Sequence, residues 1–468
     1  MVYKNNPEVF MKDTIFDSIF YHIYPLGMCG CPKRNDFSCP AGSAFSALEE
    51  QLPRIRELGC NALYIGPLFE SSSHGYDTVD YYHVDRRLGN NESFKHFCNA
   101  AHEMGFKVVL DAVFNHTGRD FFAFKDIQAN GNSSRYCSWY KNLKFGQKSC
   151  YGDNFDYEGW AGCKDLVKLN GECGQVQEHL FGAVKFWIQE FKIDGLRLDA
   201  ADVLSANFME NLSKFCASIK QDFWLMGEVV HGDYNNWVRP SRLHSVTNYE
   251  CYKGLWSSFN SRNFFEIAYS LNRQFGNSGI YKFMPLYNFA ENHDVDRVAS
   301  VLSDSRWLFP LYGLLFTMPG VPSIYYGGEY GLRGKRNSSG DEQLRPSFGA
   351  SSDLDGKCHV PDFAKPDVDS LSLAKAIQKF ASIRLQFDAL KKGSYSQIFV
   401  SSCQFVFERE FYGQRIIVAV NCEDKPACVC LKNTIHRSCE DVLNGGIFCE
   451  SDLNRLEIPA NWLRILKC

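Results

Sequence analysis

Eight short apolar runs, at residues 19–24, 62–65, 107–113, 195–198, 224–226, 246–249, 286–289 and 323–326, recur along this chain with longer stretches between them. Their hydrophobicity is near-continuous rather than alternating, so they read as strands buried on both faces, the pattern of a parallel sheet. Parallel neighbours need crossover connections, and the gaps supply them at 47–58, 92–104 and 176–190. The last of these places Val176, Leu180, Val184 and Trp187 on one helical stripe. Eight such strands with helices between them predict an α/β fold, a closed (β/α)8 or TIM barrel.

One gap breaks the rhythm. Residues 117–170 are rich in Gly, Asn, Ser, Lys and aromatics, too long and too polar for a single helix, and predict a small domain inserted after the third strand. Beyond a helical segment at 371–390, Lys391-Lys392-Gly393 ends the pattern, and runs at 397–400, 405–410, 415–420 and 427–431 alternate with period two. This predicts an antiparallel β-sandwich domain over 391–468 and leaves 1–116 and 171–390 to the barrel.

A chain of 468 residues with 45% hydrophobic content can bury a large core and a satellite. Its net charge of −4, with acids and bases well mixed, gives no field to hold nucleic acid or an anionic membrane. A neutral substrate suits such a surface. Residues 1–17 lack the basic start and apolar core of a secretion signal, and no apolar run is long enough to cross a bilayer, so a soluble cytoplasmic protein is expected. Nineteen cysteines in such a chain are read as reduced, partly buried thiols rather than a disulfide framework. Cys29, Cys31 and Cys39 lie close together, but no CxxC pair or histidine stands at zinc spacing.

Four strings at the ends of the apolar runs carry the chemistry: Asp111-Ala112-Val113-Phe114-Asn115-His116, Gly195-Leu196-Arg197-Leu198-Asp199, Gly227-Glu228-Val229, and Asn292-His293-Asp294. In that order they resemble, one for one, the four sequence blocks of the α-amylase family of glycoside hydrolases (family 13). The resemblance extends through Gly66-Pro67, Gly75 to Tyr81, Leu166 to Asn170 and Gly320 to Gly327, nearly the whole barrel.

Membership implies retaining cleavage of α-glucosidic bonds, which needs an ionised carboxylate as nucleophile and a protonated one as acid, roughly 5 Å apart. Arg197 and Asp199 are two apart on one strand and share a face, so the guanidinium is expected to keep Asp199 charged, as a nucleophile must be. Glu228 stands among Trp224, Leu225, Met226, Val229 and Val230, surroundings that raise a carboxylate's pKa and suit a proton donor. From the resemblance, Asp294 binds sugar hydroxyls and stabilises the transition state, His116 and His293 hydrogen-bond the sugar, and Tyr76 stacks on it. Asp77 and Arg297 match a pair that grips the non-reducing-end sugar in several α-glucosidase-like members, while Asp111 is expected to brace the loop.

No cofactor is required by this chemistry. Asn115 matches the family's calcium-binding asparagine, so a structural calcium is a further implication, with Asp153, Asp156 and Asp165 as candidate partners. Ala201-Asp202 replaces the Lys-His that many α-amylases carry after the nucleophile, which loosens the implied contacts beyond the cleavage point. The substrate expected is a maltodextrin-like α-1,4-glucan, or another α-glucan oligosaccharide or polysaccharide; oligomeric state stays open. Rivals with the same chemistry are a cyclomaltodextrinase or neopullulanase, an exo-acting α-glucosidase and a 4-α-glucanotransferase. A different class is a non-catalytic, glycan-binding amylase-like module, such as the ectodomains of amino-acid transporter heavy chains, which lack a complete carboxylate set.

Overall fold

The computed structural model describes residues 15–338, 340–348, 360–431 and 438–468. All eight expected strands form: Phe20–Ile23, Ala62–Ile65, Lys107–Ala112, Gly195–Leu198, Trp224–Gly227, Ser245–Val246, Tyr287–Phe289 and Val321–Tyr325. Each pairs in parallel with its neighbours in one eight-stranded sheet, and a Thr247–Tyr287 bridge joins the sixth strand to the seventh and closes the barrel.

Inward-facing side chains fill the barrel rather than leaving a pore. Phe20, Ala62, Tyr64, Val109, Trp224, Met226, Tyr287, Phe289 and Val321 make one cluster, with the Phe20 and Trp224 rings stacked at 5.1 Å. The crossover helices pack outside. Asn91–Glu103 starts at a reciprocal cap, where the Asn90 side chain accepts from the Ser93 N–H and the Ser93 hydroxyl accepts from the Asn90 N–H. Gly174–Glu190 buries the expected stripe of Val176, Leu180, Val184 and Trp187.

The insertion after the third strand folds as a three-stranded antiparallel sheet, ordered His116–Gly118, Cys163–Lys168, Gly159–Trp160. A helix, Phe122–Asn130, and an aromatic cluster of Phe124, Tyr140, Phe155 and Tyr157 support it. So many rings explain how a segment poor in aliphatic residues holds together.

Beyond the helix Ser370–Gln386, strands Ser394–Val400, Gln404–Phe411 and Gln414–Asn421 form an antiparallel meander. Trp462–Lys467 and Cys439–Asp441 extend this sheet beyond Gln414–Asn421. The fourth expected strand departs from that meander: Ala427–Val429 pairs with Leu456–Ile458 in a separate ribbon, and Val406, Ile417, Ala419, Val429, Leu456 and Ile458 pack together in one core. A second departure concerns the thiols. Cys439 and Cys468 are disulfide-bonded, since strand pairing brings residues 29 apart in sequence together; the other described cysteines are free.

The barrel and the β domain meet over the helix Leu308–Thr317, apolar on every side and buried except for the half-buried Phe309. Leu463 seats on Gly313, where any Cβ would come within 2.5 Å of it. Two fully buried arginines staple this junction. Arg384 donates to the carbonyls of Phe316, Gly320 and Leu390, and Arg409 to those of Thr317, Leu390, Gly393 and Ser394. Neither forms a direct ion pair with a described carboxylate. Carbonyls in the last turns of the helices Leu308–Thr317 and Asp388–Lys392, the negative ends of their dipoles, face both guanidinium groups, and Asp17 adds a more distant negative charge at Arg384. Among the described residues no helix is long and apolar enough to cross a membrane.

Candidate active site

The hydrogen-bond ladder of the barrel continues one rung past its fourth and fifth strands. The N–H of Asp199 donates to Ala112 O at 3.1 Å and that of Glu228 to Leu198 O at 2.9 Å, which fixes both residues at the carboxyl-end rim. Ligands bind at that rim in barrels of this type.

Arg197, 2% exposed, joins the carboxylates. Its Nη1 lies 2.8 Å from Asp111 and 3.0 Å from Asp199, and its Nη2 lies 2.9 Å from Glu228. Asp111 is braced further by the hydroxyls of Tyr64 at 2.8 Å and Tyr76 at 3.0 Å. Ala200 follows Asp199 with φ of 46°, a left-handed backbone that a non-glycine residue adopts at a cost. That bend turns its N–H onto Glu228 Oε2 at 3.0 Å.

His293 and Asp294 close the other side. The Tyr76 hydroxyl meets His293 Nε2, which also lies 2.9 Å from Asp294 Oδ2, and the Tyr76 and His293 rings stack at 5.5 Å. Arg345 Nη2 binds Asp294 Oδ1 at 2.9 Å while its Nε donates to the His293 carbonyl at 3.0 Å. One continuous chain of contacts thus runs from Glu228 and Asp199 through Arg197, Asp111, Tyr76 and His293 to Asp294 and Arg345. His116 and Asp77 flank it. Asp77 Oδ1, His116 Nε2 and His293 Nδ1 are buried without a hydrogen-bond partner.

Electrostatics here differ from the sequence expectation in one respect. Arg197 was expected to favour the charged form of Asp199 alone, but it serves Asp111, Asp199 and Glu228 together. Burial pushes Asp199 well above the ordinary carboxylate range, against Arg197, with Glu228 and Asp111 adding to the rise. Burial also raises Glu228, again opposed by Arg197. The two are therefore coupled in their titration, each raising the other's affinity for a proton. Asp294 behaves oppositely: burial would raise it, but His293 and Arg345 outweigh that and hold it ionised well below the usual range. Burial pushes His116 down to about 3, so it is a neutral hydrogen-bonding ring at physiological pH.

One expectation fails at this site. Arg297 does not reach Asp77. It is fully buried behind the pocket, pairing with Glu291 at 3.0 Å, donating to the carbonyls of Tyr326 and Leu344, and lying 4.0 Å from the Tyr325 ring centroid. Asp77 instead accepts from the Ser73 hydroxyl at 2.6 Å. Two of the three candidate calcium-binding aspartates are engaged by cations. Asp153 is taken by both arms of Arg119 at 2.9 and 3.0 Å, Asp156 by Lys164 at 2.8 Å, and Asn115 bonds to the adjacent His116 ring. Among the described residues no group of acids, cysteines and histidines is placed to hold a metal ion.

Sequence reasoning missed Arg345, Tyr24 and His22. Tyr24 stacks over His293 at 5.8 Å with the Arg345 guanidinium 4.6 Å from its ring, and His22 lies under Tyr64 at 4.1 Å and edge-on to His293 at 5.2 Å. Arg345 comes from a loop with no strand pattern. His22 and Tyr24 were visible only as part of the first strand, where alternation puts both on the face that Tyr64 and His293 occupy.

The comparisons with known proteins agree with this geometry. Residues 44–358 match the family model "Alpha amylase, catalytic domain". A cyclomaltodextrinase of Thermoanaerobacter pseudethanolicus is 29% identical over 488 residues, covering 98% of this chain and 80% of its own. Neopullulanase 2 of Thermoactinomyces vulgaris is 33% identical over 309 residues, 65% of this chain and 52% of that one. A solved cyclomaltodextrinase superposes with a TM-score of 0.82 at 26% identity, over 99% of this chain and 80% of its own. The chain belongs to the α-amylase family and is a glycoside hydrolase that acts on α-glucans.

Proposed function

We propose that this protein cleaves α-1,4-glucosidic bonds in maltodextrin-like oligosaccharides by double displacement, with retention. The observation that carries this reading is the single guanidinium of Arg197, whose two arms fix Asp199 and Glu228 side by side. That closeness is what a retaining pair requires; an inverting pair stands farther apart to admit a water.

Asp199 attacks the anomeric carbon while Glu228 delivers a proton to the departing glycosidic oxygen, leaving a glycosyl ester on Asp199. Glu228 then takes a proton from water, which attacks the anomeric carbon from the leaving-group side and breaks its bond to Asp199, freeing the carboxylate. Positive charge developing at the anomeric carbon stabilises Asp199 as the anion and places the proton on Glu228. Asp294, held ionised by His293 and Arg345, faces that same developing charge. The buried ring nitrogens of His116 and His293 that lack a hydrogen-bond partner give a polyhydroxylated ligand capacity to fill.

Likeness to a cyclomaltodextrinase and a neopullulanase favours a second reading within the same chemistry, in which cyclic or α-1,6-branched glucans are also cut. Products from maltoheptaose, β-cyclodextrin, pullulan and panose separate the readings, with the first-formed anomer followed by NMR. Early release of the α-anomer is expected. First formation of the β-anomer, or no sugar release from any of the four, overturns the proposal.

A further inference from the structure

At two places in the β domain's described six-stranded sheet, cysteines stand face to face. Cys439 and Cys468 lie one step past the Glu440–Lys467 pair and are bonded. Cys403 and Cys422 lie one step past the Gln404–Asn421 pair, at the open end of the hairpin formed by Gln404–Phe411 and Gln414–Asn421. There the Cys422 N–H donates to the Cys403 carbonyl at 3.0 Å, which continues the ladder and sets the two residues opposite each other. Opposed residues of a hydrogen-bonded antiparallel pair stand about 5.5 Å apart at Cα, with their side chains on one face. That separation suits a disulfide. Both thiols are nonetheless free.

The two pairs occupy different cores. Cys439 and Cys468 pack with Val406 and Ile417 in the separate core of the β domain, whereas Cys422, buried, and Cys403, half-buried, pack on the large core that includes the barrel's helices. Barrel groups grip the backbone on both sides of the free pair. The Phe264 N–H donates to the Ser402 carbonyl at 3.1 Å, and the Trp307 indole N–H to the Cys422 carbonyl at 3.0 Å. The thiols also meet each other: burial, then the neighbouring Cys403 sulfur and a hydrogen bond to it, push the Cys422 thiol up to about 12. Cys422 therefore keeps its proton until a partner sulfur is in place.

The geometry points to Cys403 and Cys422 as a redox site, a dithiol that small-molecule disulfides oxidise reversibly to a cross-link at the seam between the β domain and the barrel. Glycoside cleavage makes no use of it. Cys403, the less buried of the two, is the sulfur such a reagent reaches. As the thiolate it attacks one sulfur of the reagent, whose S–S bond breaks and releases a first thiol. Cys422 then gives up its proton and attacks Cys403 Sγ, releasing the second thiol. Two protein thiols lose two electrons and two protons, and the reagent's disulfide takes them up. The new bond closes the hairpin at the end that holds both barrel contacts, so oxidation tightens the docking of the β domain. The alternative is a pair of inert packing cysteines.

The test incubates the full chain with oxidised glutathione, alkylates it under denaturant, digests it and maps the peptides by mass spectrometry. A linked peptide joining Cys403 to Cys422, lost on treatment with dithiothreitol, is expected. Glutathione retained on Cys403 alone, or both thiols still open to alkylation, overturns the assignment. Denaturant unfolding then reads the seam. Oxidation is expected to favour the folded wild type by about 100-fold more than it favours Cys403→Ala, which retains the Cys439–Cys468 bond, since a disulfide closing a loop of this length has that scale of effect. Equal gains in the two proteins overturn the link to docking. Cys422→Ala replaces Cys403→Ala if that variant does not fold, and the peptide map on the wild type needs neither.

Discussion

Two places in this molecule bury arginine completely, and they use it in opposite ways. At the barrel mouth Arg197 lies among Asp111, Asp199 and Glu228, more negative charge than one guanidinium balances. At the junction with the β domain, Arg384 and Arg409 share a site with no ion-paired carboxylate and bind carbonyls instead. Burial lowers the pKa of both junction arginines, and Arg384 lowers that of Arg409 further. Arg197, by contrast, is raised despite burial, by Asp111 and Glu228. The mouth is thus built around groups that gain or lose protons, and the junction around dipoles that cannot. One arginine poises chemistry; the other two hold domains together.

The largest effect that can break this contrast is at the nucleophile. Asp199→Asn is expected to reduce kcat by at least about 10⁴-fold, as removing a covalent nucleophile does. The same change relieves a crowded negative cluster and is expected to raise Tm. A carboxyl whose folded pKa is raised contributes its stability below the unfolded value and loses it as pH rises. The Tm gain of Asp199→Asn is therefore small near pH 4 and grows toward neutrality; a gain independent of pH refutes the crowding argument.

Arg197→Met and Arg409→Met sharpen the comparison directly. Each is expected to cost about 3–5 kcal/mol, the scale for stripping partners from buried charges or carbonyls. Arg197→Met also abolishes turnover and regains stability on acidification, as the abandoned carboxyls protonate. Arg409→Met keeps its kcat wherever it remains folded, and its deficit does not change over the same pH range. Denaturant melts at several pH values check both, and a pH-dependent deficit in Arg409→Met would falsify the dipole account.

These contrasts also mark what the sequence could reveal. The strands were legible because each is a short apolar run bounded by polar residues, and even the two-residue Ser245–Val246 lay within reach of the run at 246–249. Asp199, Glu228, His293 and Asp294 were legible because they ride on those strands or just past them. Arg297 was misplaced, since a motif position cannot tell whether a side chain turns toward the pocket or back toward Glu291. Arg345 left no local signal: its partners depend on where a long loop returns. The Cys439–Cys468 bond was hidden for the same reason, as only sheet pairing sets which thiols meet.

Arg345 and Arg297 give the next prediction. Arg345→Ala removes a cation from Asp294, whose pKa is held low partly by it. The expected result is a loss of about 10- to 100-fold in kcat/KM, a loss of about 1.4–2.7 kcal/mol in transition-state stabilisation. Arg297→Ala is expected to act on stability and to show no selective loss on maltotriose over long dextrins. A maltotriose-selective defect in folded Arg297→Ala would restore it to the site.

The smallest effect concerns the pH profile. A bell-shaped kcat/KM is expected, with its alkaline limb above the ordinary carboxylate range because burial raises the pKa of Glu228. In Glu228→Gln that limb vanishes on α-glucosyl fluoride, whose leaving group needs little protonation. Its survival would assign the acid elsewhere.

The seat of Leu463 on Gly313 has a consequence for how the protein is made. The helix Leu308–Thr317 is apolar all round, yet the strand that covers this face, Trp462–Lys467, is synthesised long after it, and it inserts between Gln414–Asn421 and Cys439–Asp441. At about 5–20 residues per second, a ribosome takes roughly 8–30 seconds to travel from that helix to that strand. Throughout that interval the barrel emerges with an uncovered greasy face. Chaperone binding during translation should therefore peak after residue 317 and fall once Trp462–Lys467 has emerged.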